Sequence, residues 1–128
     1  MNPFAPRYRS HRFYGAFLLY FLILVLGSVP HARAEIGNIA SGIVLHAGAY
    51  SLITTLLATG SRKNQWARLL QAFTIVLIMG AADEYVQSFF AYRHAAVFDW
   101  LVDCGASLIT VFVIGYWPKL FDKNVLDM

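Results

Sequence analysis

Long apolar runs separated by short polar stretches dominate the pattern of this chain. A transmembrane helix needs about 20 mostly apolar residues to cross about 30 Å of hydrocarbon at 1.5 Å per residue. Four runs reach that length when their polar flanks are counted. They predict helices at residues 13–29, 39–59, 67–89 and 98–117. Pro30 closes the first of them, because proline lacks an N–H and disfavours helix at the residue before it.

The composition also indicates a membrane protein. The chain has 128 residues, of which 59% are hydrophobic and 13% are charged, whereas soluble domains carry about 25% charged residues. The predicted spans use most of the chain and leave no room for a soluble domain. We therefore predict one domain over residues 1–128, an all-α integral membrane bundle of four transmembrane helices. A bundle of this size is also compatible with a homo-oligomer.

Basic residues lie mainly on one side of the predicted bundle. Those on that side are Arg7, Arg9, Arg12, Arg62, Lys63, Arg68, Lys119 and Lys123. Arg33 and Arg93 lie on the other side, where Trp100 is expected at the headgroup level. Because cytoplasmic loops are enriched in Lys and Arg, we predict a multi-pass membrane protein with both termini in the cytoplasm. Short basic clusters at helix ends argue against nucleic-acid binding.

The N-terminal region is similar to a secretory signal peptide. Basic residues precede the first apolar run, and Ala32-Arg33-Ala34 follows it. Signal peptides, however, have shorter apolar runs of about 7–15 residues. We therefore expect the first span to be retained as a membrane helix.

Polar residues of three predicted spans converge at one depth. Counted from the outer ends of their helices, His46 lies roughly 10 Å deep, Asp83 about 9 Å and Asp103 about 7–8 Å. All three therefore belong to the outer leaflet. A carboxylate within the hydrocarbon costs a few kcal/mol on insertion scales, so these side chains must face one another or water.

The spacing of the polar residues also pairs them on helix faces. Pairs four residues apart share a face, and the pairs here are His46 with Tyr50, Asp83 with Gln87, and Asp99 with Asp103. Like charges at this spacing repel, so the two aspartates of the fourth span require a cation or a shared proton. His46 and Arg93 are the candidates. Small residues such as Gly80 allow the helices to approach closely around these acids.

Taken in order, these residues resemble the VanZ-like family. His46-Ala-Gly-Ala-Tyr50 is similar to the H-x-x-x-Y element of that family, and Asp83-Glu84-Tyr85-Val86-Gln87 is similar to its D-E-x-x-Q element. The resemblance covers the second to fourth predicted helices, about residues 39–115.

The same resemblance extends to the fourth span and its preceding loop. Arg93, followed by Asp99, resembles the arginine-then-aspartate element, and Asp103 stands where Asn is typical of the family. VanZ-like proteins are small multi-pass membrane proteins whose founder is associated with low-level teicoplanin resistance. The resemblance therefore implies a protein of the bacterial inner membrane whose membrane site has a role in the cell envelope.

A binding or accessory function is the first hypothesis. The acid-rich site would bind a membrane lipid or a lipid-linked envelope precursor from the outer leaflet, in envelope or glycopeptide-resistance functions. Arg93 would hold an anionic group by bidentate hydrogen bonds. Gln87, Asp103 and Tyr50 would supply the remaining substrate contacts.

An enzyme acting on a lipid headgroup or a lipid-linked phosphate is the alternative. Its catalytic residues would be Asp83, Glu84, Asp99 and His46, with one acid as a general base and His46 as its partner. Asp83, Glu84, Asp99 and Asp103 could also hold a divalent cation, because hard oxygen ligands suit Mg²⁺ or Ca²⁺.

Two further interpretations stay open. A small ion-coupled transporter is the second alternative, because carboxylates in a bundle often mark ion paths, although the polar residues here lie on the outer side only. A network that merely joins the third helix to the fourth requires no ligand. Polar contacts between membrane helices average well under about 1 kcal/mol, so we favour a functional site.

Overall fold

The fold is all-α in the part of the chain that the structure describes. The computed structural model describes residues 2–37, 41–91 and 97–116. Its helices in chain order are α1 (Arg9–Ser28), α2 (Pro30–Gly37), α3 (Gly42–Gly60), α4 (Gln65–Gln87) and α5 (Val97–Tyr116), and a 3-10 helix (Pro6–Tyr8) precedes α1. No strand occurs among these residues, so the predicted fold class is confirmed.

Four helices are long and apolar enough to cross a membrane. Within the described residues they are Pro6–Ser28, Gly42–Gly60, Gln65–Gln87 and Val97–Tyr116. The protein is therefore a multi-pass membrane protein. The remaining helix, α2, has only 8 residues and cannot span the hydrocarbon.

The helix bounds differ from the predicted ones by a few residues. α1 begins at Arg9 rather than at position 13, because Arg9 and Arg12 are buried against protein. α4 ends at Gln87 rather than at position 89. The predicted first residue of the second span, position 39, and the predicted last residue of the fourth, position 117, lie outside the described residues.

Local sequence explains where several helices begin. Ser41 and Asn64 are the N-caps of α3 and α4, and their side chains accept from the backbone N–H groups of Val44 at 3.4 Å and Ala67 at 2.9 Å. Such caps satisfy donors that have no partner within the helix. α1 ends just before Pro30, and the same proline begins α2, since a proline at the first helical position removes no hydrogen bond.

Helix α3 occupies the centre of the bundle. It packs against α1, α4 and α5, while α4 and α5 pack on each other and α1 lies mainly against α3. Gln65 at the start of α4 donates to the carbonyl of Gly115 at the end of α5 at 3.0 Å, so these two helices are antiparallel. The short connection from α3 to α4 makes that pair antiparallel as well. α3 and α5 therefore run in the same direction.

The core between the spans is apolar. Its members are Ala16, Tyr50, Ile53, Leu57, Ala58, Leu69, Ala72, Val76, Met79 and Ile114. Many of the remaining large apolar side chains are exposed on the outside of the bundle, among them Leu18, Leu70 and Ile109. This distribution is the one expected of spans whose outer faces contact lipid.

The backbones of α1 and α3 approach closely at Gly60. A Cβ on Gly60 would lie 2.5 Å from the backbone nitrogen of Phe13. Beside this contact, the buried Arg12 donates to the carbonyl of Thr59 at 2.8 Å and to that of Pro3 at 2.6 Å. Because the last four carbonyls of a helix have no partner within it, Arg12 caps the end of α3.

Candidate functional site

Two polar pairs join α3 to its neighbours where the sequence places the site. His46 Nδ1 lies 2.8 Å from Asp103 Oδ1 and connects α3 with α5. The Tyr50 hydroxyl donates to Asp83 Oδ2 at 3.3 Å and connects α3 with α4. We call these four residues the polar network. The structure thus brings together predicted site residues from three helices.

Of the four network residues, only His46 has a partly exposed side chain. The side chain of Asp103 is 0% exposed and that of His46 is 15% exposed, while Tyr50 and Asp83 are buried. Asp103 engages Nδ1 of the imidazole, which leaves the second ring nitrogen for other contacts. Within the described residues, that nitrogen has no hydrogen-bond partner.

The rings of His46 and Tyr50 lie nearly parallel along α3. Their centroids are 6.1 Å apart and their planes differ by 9°. This stacking follows from their separation of four residues, which places both on one face of the helix. It ties the orientation of the imidazole to that of the buried Tyr50.

Gly80 of α4 makes room for the carboxylate of Asp103. A Cβ on Gly80 would lie 3.1 Å from Asp103 Oδ2 and 2.9 Å from Trp100 Cδ1. Trp100 Nε1 donates to the carbonyl of Leu77 at 3.0 Å and so fixes its ring on α4. We call the contact of Gly80 with Trp100 and Asp103 the Gly80 seat. It packs Asp103 between His46 and the backbone of α4.

Two buried polar atoms at the network lack a hydrogen-bond partner among the described residues. They are Asp103 Oδ2 and Gln87 Nε2. Gln87 is 3% exposed and lies one turn beyond Asp83 on α4. Since buried polar groups are almost always paired in native proteins, these atoms are candidates for contact with water or a ligand.

The other predicted site residues differ in their surroundings. Asp99 is half-buried in the first turn of α5, where the helix dipole favours an acid. Glu84 is half-buried in the last turn of α4, where the dipole disfavours one. Arg93, the predicted anion-binding residue, lies outside the described residues.

A metal site is not evident in the described part of the chain. There, no group of three or more His, Cys, Asp or Glu side chains is arranged to hold a metal ion. The carboxylates of Asp83 and Asp103 each have an oxygen engaged by Tyr50 or His46. A divalent cation held by Asp83, Glu84, Asp99 and Asp103 stays a prediction.

Polar contacts continue one turn deeper, between α3 and α5. Thr54 Oγ1 lies 3.0 Å from Ser107 Oγ, and the Thr54 hydroxyl donates to the carbonyl of Tyr50 at 2.6 Å. Beyond this point the buried residues of α3 are Leu57, Ala58, Thr59 and Gly60. Of these only Thr59 has a polar side chain, and its hydroxyl donates to the carbonyl of Thr55 at 2.7 Å, which gives little support to an ion path along α3.

Several residues that support the network were not predicted to do so. Trp100, which was expected at the headgroup level, also donates its N–H to the backbone carbonyl of Leu77 in α4. Thr54 and Ser107 each lie four residues beyond a network residue, so the helical spacing offered a signal for both. Tyr20 of α1 donates to the carbonyl of Met79 at 2.9 Å, and nothing in its apolar surroundings pointed to this contact.

Fold and site together define the class: a multi-pass α-helical membrane protein with a polar network between three of its spans. The chain matches none of the protein families, curated proteins or solved structures with which it was compared. Its resemblance to the VanZ-like family therefore stays a prediction from the motifs.

Proposed function

We propose that this protein binds the polar headgroup of a cell-envelope amphiphile, a membrane lipid or a lipid-linked precursor, at His46. It would do so as a VanZ-like protein of the bacterial inner membrane. The His46–Asp103 pair carries the proposal. The imidazole of His46 is 15% exposed, and the carboxylate that holds it is 0% exposed. The buried Asp103 therefore orients the partly exposed His46.

The energetics of buried acids support a function beyond helix association. An aspartate at the centre of a span costs about 2.5–3.5 kcal/mol on insertion scales. A polar contact between membrane helices contributes about 0.6 kcal/mol on average. Asp83 and Asp103 are both buried in membrane-spanning helices. One hydrogen bond of average strength is therefore smaller than the insertion cost of an aspartate at the centre of a span.

Apolar side chains near His46 suit an amphiphile better than a water-soluble ligand. Ile43 is exposed and lies one turn before His46 on the same face of α3. A ligand whose headgroup reaches His46 would lay its hydrocarbon chains along this side of α3. This arrangement matches a molecule that arrives through the bilayer.

The network offers specific hydrogen bonds to a headgroup. With the Nδ1 proton donated to Asp103, the second imidazole nitrogen accepts from a hydroxyl or an amine. The Gln87 amide adds a donor that has no partner within the described residues. A headgroup that both donates and accepts hydrogen bonds would suit groups of these two kinds.

A pair of substitutions tests the proposal. His46→Asn keeps a donor near the position of Nδ1 and removes the second nitrogen, whereas His46→Gln moves the amide toward the second position. Loss of one hydrogen bond to a charged or strongly polar group is worth about 1.5–3 kcal/mol, which is roughly tenfold or more in affinity. We therefore expect His46→Asn to copurify at least about tenfold less amphiphile than wild type, measured by mass spectrometry of lipid extracts.

Exposed His11 provides the matched control. The variant His11→Asn should copurify the wild-type amount of amphiphile. Equal lipid profiles for wild type and His46→Asn would contradict the proposal, provided that both proteins unfold at similar temperatures in detergent.

A membrane enzyme is the second candidate function, favoured by the same pair. A carboxylate that holds Nδ1 of an imidazole leaves the second nitrogen to act as a general base. Incubating the purified protein with lipids extracted from cell envelopes separates the two functions. Recovery of unchanged amphiphile supports binding, whereas a modified product that His46→Asn does not form supports catalysis.

A further inference from the structure

Tyr20 connects α1 to the turn of α4 on which the polar network is built. The side chain is half-buried, and its hydroxyl donates to the carbonyl of Met79 at 2.9 Å. Met79 is 5% exposed and lies four residues before Asp83. The carbonyl of Met79 is therefore also the helical acceptor for the backbone N–H of Asp83.

A carbonyl oxygen has two lone pairs and can accept both hydrogen bonds. The contact of Tyr20 is consequently added to the helix without breaking it. It fixes the height of α1 against the turn of α4 that begins at Met79 and ends at Asp83.

The same turn also contacts α5. Gly80 follows Met79 directly, and the Gly80 seat receives Asp103 and Trp100. The turn thus contacts both a hydroxyl from α1 and a carboxylate from α5. Any rotation or shift of α4 here would change the Tyr50–Asp83 and His46–Asp103 contacts together.

We propose that Tyr20 is a positioning residue of the polar network, acting through the Met79–Asp83 turn. This role rests on the proposed function, because only a network that binds a ligand requires its side chains to be aligned. Its test needs no ligand. The hydroxyl of Tyr20 sets the position of α4, and α4 sets the distance between the paired groups.

The experiment compares Tyr20→Phe with Tyr14→Phe in protein labelled with ¹⁵N-histidine. Tyr14 is the matched control, because it lies on α1 and is 70% exposed. The Nδ1 signal of His46, assigned by its absence in His46→Asn, reports the bond to Asp103. Tyr20→Phe should shift this signal and accelerate exchange of its proton with water, and Tyr14→Phe should leave both unchanged.

The possible results separate the two proposals. If Tyr20→Phe lowers the melting temperature but leaves the His46 signal unchanged, Tyr20 is a packing residue only and the positioning role is wrong. If the signal moves while the copurified amphiphile stays at the wild-type amount, the positioning role stands and the proposed binding at His46 is contradicted.

Discussion

A wholly buried aspartate in a membrane span needs a partner, and Asp103 has one in His46 at 2.8 Å. The pair is asymmetric, because its carboxylate is shielded by α4 while its imidazole is 15% exposed. Removing one member of such a pair leaves the other buried and uncompensated, which is more costly than the pair itself. Because only His46 of this pair is partly exposed, it is the member that can exchange hydrogen-bond partners.

The Gly80 seat yields a prediction about stability. In Gly80→Ala the new methyl group would meet the Trp100 ring at 2.9 Å and Asp103 at 3.1 Å. The ring cannot move freely, because its N–H is bound to Leu77. We expect a loss of about 1–3 kcal/mol in the free energy of unfolding, as for other overpacked cores, despite the better helix propensity of alanine.

Gly48→Ala is the control for this substitution. No atom outside the local helix lies within 4 Å of a Cβ at Gly48, so alanine there should leave stability unchanged or raise it slightly. Unfolding in detergent, followed by circular dichroism, compares the two variants. Equal stability of Gly80→Ala and Gly48→Ala would show that the seat has more room than the structure indicates.

Relative height along the bundle was the property of these side chains that the sequence could predict. Counting residues from a helix end gives the height of His46, Asp83 and Asp103, because each residue adds 1.5 Å. The direction in which a helix turns its side chains toward particular neighbours is not contained in that count. For this reason the contacts of Tyr20 and Trp100 with carbonyls of α4 escaped prediction.

The backbones of α1 and α3 approach closely at one point. Gly60 permits it, and Arg12 fastens it by bonding to Thr59 of α3 and to Pro3 and Ala5 of the N-terminal segment. The guanidinium of Arg12 thus joins the end of α3 to the segment that precedes α1. The first span is joined to the bundle by specific polar contacts as well as by apolar packing.

Arg12→Ala should therefore destabilise the packing of α1 on α3. Hydrogen bonds to charged groups contribute about 1.5–3 kcal/mol each, with wide variation, and the carbonyl of Thr59 would lose its side-chain donor. We expect a loss of about 2–3 kcal/mol in the free energy of unfolding, measured by titration with a denaturing detergent. Exposed Arg7→Ala should change it little. Equal effects of the two substitutions would indicate that Arg12 acts through its charge alone.

The four spans were predictable from the sequence, whereas the helices against which each span packs were not. Hydrocarbon thickness sets the length of an apolar run, and Pro30 punctuates the first run. The central position of α3 depends on which surfaces fit, a property of helix pairs that no single run contains. The short helix α2 was not predicted, because Pro30 ends the first apolar run, although proline also favours the first position of a helix.

The buried acidic and basic side chains of the described residues lie at opposite ends of the bundle. Asp83 and Asp103 lie toward the end of α4 and the start of α5, whereas Arg9, Arg12 and Arg68 are buried at the opposite end. This polarity underlies the prediction that the basic end faces the cytoplasm. Of the other basic residues used for that prediction, Lys119 and Lys123 lie outside the described residues.

Labelling of single cysteines checks this orientation. In a Cys104→Ser background, Ser88→Cys and Lys63→Cys place a thiol at opposite ends of α4, both at exposed positions. A membrane-impermeant thiol reagent applied to intact cells should label Ser88→Cys and not Lys63→Cys, with both labelled after the membrane is opened. The reverse pattern would place the polar network on the cytoplasmic side.

The Gly80 seat also limits how this sequence can vary. Position 80 has no space for a side chain while an indole and a carboxylate occupy positions 100 and 103. In related sequences, a larger residue at position 80 should accompany a smaller one at position 100 or 103. Covariation of these positions, far apart along the chain, would then record the contact between α4 and α5.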